Sequence, residues 1–199
     1  MFSLSAATST QADRPLRADA RRNRERILSS ALEVFARDGA EAQMDDIAAH
    51  ASVGVGTLYR HFPTKEALLI ALVREKLTRL TGVMAQAVEE DGEPGEVLER
   101  ALREAAVAAA HDAGMQEVFS GVGPEVFAAV EPEQLKLNAV AGELIARAKR
   151  AKAVRDDLEP SDLAMLMCGL GAAMNQARPG FDWNRHLDLI IAAIRPASH

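Results

Sequence analysis

A seven-residue segment, 55–61, is rich in side chains that could contact a polar partner. Thr57, Tyr59, Arg60 and His61 carry these side chains, and the apolar Val55 is predicted to face outward with them. Hydroxyl, imidazole and guanidinium groups cost free energy when they are buried without hydrogen-bond partners, so the segment is predicted to face outward. Leu58 and Phe62 are apolar and are expected to point back to a core. A surface helix with ordinary polar side chains would show the same pattern.

The elements around this segment favour a more specific interpretation. The spacing of apolar residues predicts a short helix over 44–51 and a second one over 55–61. Ser52-Val53-Gly54 would form a three-residue turn between them. Ala48 and Ala51 are small enough to let the two helices cross closely. This is the arrangement of a helix-turn-helix, whose second helix enters the major groove of DNA.

The rest of the chain is predicted to be helical, without a confident strand. Asp19 is expected to cap a first helix that stops at Gly39, and Thr64 is expected to cap a long helix over 65–89. Further helices are predicted over 96–111, 114–120, 124–129, 132–151, 160–176 and 182–194. The expected fold is all-α, with a mobile basic arm (1–18), a three-helix helix-turn-helix domain (19–64) and a helical effector-binding and dimerisation domain (65–199).

Charge is distributed unevenly along the chain. The net charge is −6, yet residues 1–76 carry +1 and the remainder −7. Six arginines stand against three acidic residues between Asp13 and Arg26. Such asymmetry is typical of a protein with one surface facing phosphate and an acidic body facing solvent. A solvated, basic start of a helix would explain the same asymmetry.

Several classes of protein are disfavoured. The single Cys168 excludes an internal disulfide framework and a cysteine-based zinc site. No metal-ligand spacing, phosphate loop or nucleophile setting is recognisable, so neither an enzyme nor a cofactor is expected. No secretory signal or membrane-spanning run is visible, so the sequence predicts a cytoplasmic protein that does not associate with membranes.

Residues 22–72 resemble the DNA-binding domain of the TetR family. The resemblance lies in the family's first helix, its second helix, and its recognition helix with the start of the fourth. The matching stretches are Arg24-Glu25-Arg26-Ile27-Leu28, Ala31-Leu32-Glu33-Val34-Phe35, Met44-Asp45-Asp46-Ile47-Ala48, and Gly56-Thr57-Leu58-Tyr59-Arg60-His61-Phe62-Pro63-Thr64-Lys65-Glu66-Ala67-Leu68. The order and spacing of these stretches are those of the family. The remaining chain resembles it only in being helical and of the expected length.

The resemblance implies a sequence-specific transcriptional regulator that binds double-stranded operator DNA. The DNA-contacting residues it implies are Gln43, Val55, Gly56, Thr57, Tyr59, Arg60, His61 and Lys65. Of these, Val55, Thr57 and Arg60 would face base edges, and the Arg60 guanidinium could pair with the two acceptors of guanine. Gly56 would allow close approach of the helix, and the others would contact phosphates, with Gln43 able to reach a base instead. Arg14 and Arg17 could reach the minor groove, although plain disorder of the arm is the simpler expectation.

Two departures from the family pattern affect the phosphate contacts. The family often has Thr where this chain has Ala42 and Gln43, so the second helix is expected to be less well capped. It usually has Gly-Val-Ser where this chain has Ser52-Val53-Gly54. Ser52 must then adopt a left-handed conformation, which costs on the order of 1 kcal/mol.

The last two predicted helices resemble the family's dimerisation helices. The residues predicted to form the homodimer interface are Leu166, Leu170, Met174, Trp183, Leu187, Ile190, Ile191 and Ile194. Two chains would place two recognition helices about 35 Å apart, which suits a palindromic operator. The same apolar residues could instead form ordinary core within one protomer.

The middle helices are predicted to hold a small hydrophobic effector. The residues predicted to line its pocket are Met84, Met115, Phe119, Phe127, Leu137, Met165 and Cys168, which are apolar and adaptable. Each could equally be plain core. The favoured interpretation is a repressor released from its operator by the effector. The alternatives are a DNA-binding activator, and a helical sensor or adaptor without DNA binding.

Overall fold

The computed structural model describes residues 13–110, 114–115, 118, 122–175 and 182–196. Over these ranges it contains helices and no strand, which confirms the all-α prediction. The helices are α1 (Asp13–Asp38), α2 (Met44–His50), α3 (Val55–His61), α4 (Lys65–Glu89), α5 (Pro94–Ala110), α6 (Pro124–Ala129), α7 (Glu131–Arg150), α8 (Pro160–Asn175) and α9 (Trp183–Ile194). Within the same ranges, no helix is long and apolar enough to cross a membrane.

The first helix differs from its prediction at its start. It begins at Asp13, not Asp19, so part of the predicted arm is helical and residues 1–12 lie outside the described ranges. Asp19 does not cap the helix, because it lies within α1, where its carboxylate accepts a hydrogen bond from Arg22. The predicted end is confirmed, since Gly39 has a φ of 57° and α1 stops at Asp38.

Side-chain caps fix the start of α4, as predicted, and the start of α9. The Thr64 hydroxyl accepts a hydrogen bond from the amide of Ala67 at 3.0 Å. The Asp182 carboxylate accepts one from the amide of Asn184, also at 3.0 Å. Each cap satisfies amides that the helix leaves unpaired and is worth about 1 kcal/mol. The start of α4 matters most for function, because it follows α3 directly.

A first core joins α1, α2, α3 and α4. Ile27 of α1, Ile47 of α2, Leu58 of α3 and Leu68 of α4 are all fully buried in it. Met115, Val118, Val126 and Val130, which come from later in the chain, pack into the same core. The helix-turn-helix is therefore held by buried apolar contacts from α1 and α4 and from residues in the middle of the chain.

Two further cores build the larger part of the molecule. The second contains Met84 of α4 together with residues of α5 and α7, such as Leu98 and Leu144. The third joins α5, α8 and α9 around Leu170 and Leu187. Because α4 contributes to both the first and the second core, one continuous helix connects the helix-turn-helix with the body.

Candidate nucleic-acid interface

The turn between α2 and α3 has the geometry of a Schellman cap. The amide of Val53 donates to the carbonyl oxygen of Ala48 at 3.0 Å, and the amide of Ser52 to that of Ala49 at 3.1 Å. Ser52 has a φ of 52°, so the predicted left-handed conformation is confirmed. These two bonds satisfy the last carbonyl groups of α2 and set the angle at which α3 leaves it.

The recognition helix α3 has one buried face and one exposed face. Leu58 is fully buried, and Phe62, just past the end of the helix, is 3% exposed. Val55 and Tyr59, one turn apart on the other side, are 42% and 43% exposed. Apolar burial through Leu58 and Phe62 therefore fixes α3 to the protein while its outer side chains face solvent.

The remaining predicted DNA-contacting residues lie around this face. Gly56 and Arg60 are exposed, and Thr57, His61 and Lys65 are half-buried. Gln43 is exposed, and its amide nitrogen donates to the carbonyl oxygen of Glu41 at 2.7 Å without capping α2. The structure thus presents the predicted set on the outer side of the helix-turn-helix, and the contacts themselves stay a prediction.

No described part of the protein requires glycine at position 56. A β-carbon built there would meet none of the described atoms within 4 Å, and the backbone is not left-handed. Glycine is unfavourable in a helix by up to about 1 kcal/mol relative to alanine. Close approach by another molecule is therefore a physical reason for a glycine here.

Two cations lie over aromatic rings at the base of α3. The Lys65 ammonium lies 5.5 Å from the centroid of the Phe35 ring. The Arg24 guanidinium carbon lies 5.4 Å from the centroid of the Phe62 ring. Contacts of this kind between a cation and a ring face are favourable and orient the charged group. Arg24 was not predicted as a site residue. Several arginines are close together on α1, and the sequence does not show which of them faces the recognition helix.

The structure does not gather the predicted effector residues into one pocket. Met84 and Met115 are buried in different cores, and Leu137 packs between those cores. Phe127 and Met165 are exposed, as is Cys168, and Phe119 lies outside the described residues. A cavity of about 260 Å³ does exist, lined by Leu98, Val154, Ile194 and neighbouring residues of α5 and α9, but none of the predicted residues that the structure describes borders it.

The predicted dimer residues face the protomer's own core. The most buried of them, at 5% exposure or less, are Leu170, Leu187, Ile190, Ile191 and Ile194, and the half-buried ones are Leu166, Met174 and Trp183. These five side chains pack within the protomer, and their contact with a second copy stays a prediction. The opposite side of the same helices is also apolar, with Met165 67% exposed and Leu189 58% exposed.

The helix-turn-helix packs on a buried core and exposes one face of its second helix, α3. This arrangement is that of a DNA-binding regulator. The sequence matches the family model described as bacterial regulatory proteins of the tetR family over residues 27–72. It also matches the model described as the C-terminal domain of SbtR-like transcriptional regulators over residues 93–196, more than half of the chain. The chain belongs to the TetR family, and it is a DNA-binding transcriptional regulator.

Individual relatives agree with this assignment. A TetR transcription regulatory protein from Mycobacterium vanbaalenii is 35% identical, with a TM-score of 0.64 over 91% of this chain and 99% of that one. FadR from Bacillus subtilis, solved with stearoyl-CoA, has a TM-score of 0.70 over 86% and 99% of the two chains. At 20% identity, FadR shows the fold alone.

Curated relatives match over a shorter stretch. The transcriptional repressor KstR from Mycolicibacterium smegmatis is 39% identical over 75 residues, which are 37% of this chain and 37% of KstR. The chain therefore covers little more than a third of the length of this relative. This match therefore does not assign the activity of the whole KstR protein to this chain.

Proposed function

We propose that this chain is a repressor that binds a palindromic operator as a homodimer and is released by a hydrophobic effector. The observation that carries the proposal is the exposed outer face of α3, fixed from beneath by Leu58 and Phe62. Repression follows from occlusion, since a dimer seated in two successive major grooves excludes other proteins from the same DNA. A regulator of bacterial genes meets its operator in the cytoplasm, which is the location we propose.

The DNA-contacting residues form two groups, one that reads bases and one that contacts phosphates. Val55, Thr57 and Arg60 read base edges, because they lie on or beside the exposed face of α3. Tyr59, His61, Lys65 and Gln43 contact phosphates, which positions the helix without selecting a sequence. Substituting a base reader should change sequence preference, whereas substituting a phosphate contact should weaken all complexes alike.

The dimer forms through the outer side of α8 and α9. Residues 163–174 of α8 contain no charged residue, and a helix that is apolar all round belongs in an interior. Its inner side packs in the protomer, while Met165, Cys168 and Gly169 are exposed. Among the described residues, a β-carbon at Gly169 would meet nothing within 4 Å, so space remains there for a second chain.

A groove on this surface suits a helix of the second copy. Asp162, Met165, Leu166, Gly169, His186 and Ile190 line a groove of about 440 Å³ between α8 and α9. Leu166 and Ile190, which the sequence assigned to the interface, border this groove and would contact the second copy there. Dimerisation is functional because two recognition helices read a longer site than one.

The effector acts through α4. This helix belongs to both the first and the second core. Arg74 of α4 donates to the carboxylate of Glu133 at 2.8 Å and to the carbonyl oxygen of Ala129 at 3.0 Å, so α4 is tied to the junction of α6 and α7. An effector that favours one arrangement of these helices would shift the spacing of the recognition helices. The stearoyl-CoA complex of FadR supports a hydrophobic effector class.

Selection of genomic fragments by the purified wild-type protein tests this function. Fragments retained at moderate salt should share a palindromic sequence, and hydrophobic ligands such as acyl-CoA esters should release them. A protein that retains no duplex even at low ionic strength would be a sensor or adaptor instead. Retained fragments whose genes lose expression when the regulator is deleted would identify an activator.

A further inference from the structure

The arginines of α1 differ in what they contact. Arg21 lies 3.5 Å from the carboxylate of Glu25, and Arg22 pairs with Asp19. Arg26 donates to the side-chain oxygen of Asn23. Arg24 is exposed, and within the described part of the chain no carboxylate lies within ion-pair distance of it. Its guanidinium lies over the ring of Phe62 instead.

Phe62 places Arg24 beside the recognition helix. Phe62 directly follows α3, and its ring centroid lies 6.2 Å from that of His61. Arg24, which comes from α1, is thereby held at the same end of α3 as His61 and the start of α4. The ring supports one face of the guanidinium and leaves its N–H groups at the edge, where they can donate to another partner.

We infer that Arg24 is a further DNA-binding residue, which extends the interface from the helix-turn-helix onto α1 and binds a backbone phosphate beside the groove. The inference rests on the proposed DNA binding. Phosphates line both sides of the major groove, so a cation beside the end of the recognition helix lies near the backbone when the helix is inserted. The planar guanidinium matches phosphate oxygens, and its stacking on Phe62 reduces the entropy lost on binding.

The salt dependence of binding measures this contact. The probe is a fluorescent 30-base-pair duplex of mixed sequence, and affinity is measured over a series of low salt concentrations. The logarithm of affinity falls with the logarithm of salt concentration by about 0.9 per neutralised phosphate. R24Q should therefore reduce this slope by about one unit for each bound protomer.

Two further variants separate a contact from a general charge effect. R26Q removes the same charge from the same helix, but residue 26 lies roughly 200° around the helix from residue 24, so the slope should stay that of the wild type. R24K retains the charge and should keep the slope. Circular-dichroism melting establishes that each variant is folded.

The results that would overturn the inference are specific. An R24Q slope equal to that of the wild type would show that Arg24 contacts no phosphate. An equal loss in R26Q would show that only the net charge of α1 matters. Both results assume that the wild type binds with a clear salt dependence. If it does not, the proposed function fails together with this inference.

Discussion

Val55 and Tyr59 lie one turn apart on α3 and expose nearly equal parts of their side chains, 42% and 43%. Both are large and mostly apolar, and such residues are usually buried when they lie on a packed helix. Between them, Leu58 is fully buried on the other side. The helix therefore packs its apolar side against the first core. It exposes a second surface, with both apolar and polar groups, to a partner outside the chain.

Gly56 offers a test that separates stability from DNA binding. Because a β-carbon at this position meets nothing in the described part of the protein, G56A should leave the free energy of unfolding unchanged or raise it by up to about 1 kcal/mol. DNA affinity should fall at least tenfold if the helix backbone lies close to the DNA. Urea unfolding and duplex titration measure the two quantities.

G82A is the matched control for this substitution. Gly82 lies within α4, and a β-carbon there also meets nothing within 4 Å. The variant should gain similar stability from helix propensity and keep wild-type DNA affinity. Unchanged DNA binding in G56A would contradict a close approach at this residue.

Met165 tests the outer face of α8 as the dimer interface. It is 67% exposed in the protomer, so M165E should leave the fold intact and place a charge where the second copy packs. Sedimentation velocity should show a monomer, and operator binding should weaken because the two half-sites are no longer bound together. The single Cys168, a neighbour on this face, should then react faster with a maleimide.

Leu135 and Leu170 supply the controls for the interface. Leu135 is 61% exposed on α7, so L135E introduces the same charge elsewhere and should remain dimeric. Leu170 is 1% exposed in the third core, so L170A should lower the free energy of unfolding by about 2–5 kcal/mol. A dimeric M165E, or a monomeric but fully stable L170A, would contradict the assignment of the two faces.

Glu99 predicts a pH dependence of stability. Arg103 donates hydrogen bonds to its carboxylate at 2.8 and 3.0 Å, and Arg195, just past α9, donates another at 3.2 Å. These arginines, Arg103 foremost, hold the pKa of Glu99 below its ordinary value. A lowered pKa stabilises the folded state above the pKa of the unfolded chain, and this contribution is lost as the pH falls through the folded-state pKa.

E99Q should therefore unfold more easily than the wild type at pH 7, by less than about 1 kcal/mol for a partly exposed pair. The difference should shrink as the pH is lowered below about 4.3, which urea unfolding at a series of pH values measures. E104Q, which removes a carboxylate from the exposed side of the same helix, should show little difference. A gap between E99Q and the wild type that is independent of pH would rule out this ionic contribution.

The helix-turn-helix could be predicted because each of its positions has a local physical reason. Leu58 and Phe62 are the apolar residues that bury one side of α3, and Thr64 has the hydroxyl that caps α4. The left-handed conformation of Ser52 is expected from the resemblance to the family's turn. A helix with one apolar and one polar face packs with its apolar face toward the core. On α3 the two faces differ clearly, so the exposed side followed from sequence alone.

The dimer surface could not be predicted in the same way. Both faces of α8 are apolar, with Leu170 on one and Met165 on the other, and a pattern of apolar residues does not say which face packs within the chain. The sequence also does not show that Met84 and Met115 belong to different cores, so the effector residues stay a prediction. Arg24 depends on a tertiary contact with Phe62, which spacing along the chain does not reveal.

The most direct test of DNA reading by α3 is selection from a library of randomised duplexes, carried out in parallel with the wild type and R60A. The wild type should enrich a palindrome whose half-sites lie about 10 base pairs apart, centre to centre, as a twofold dimer requires. R60A should enrich the same spacing but lose its preference at particular base pairs in each half-site. Failure of the wild type to enrich any sequence, or identical enrichment by R60A, would contradict the account.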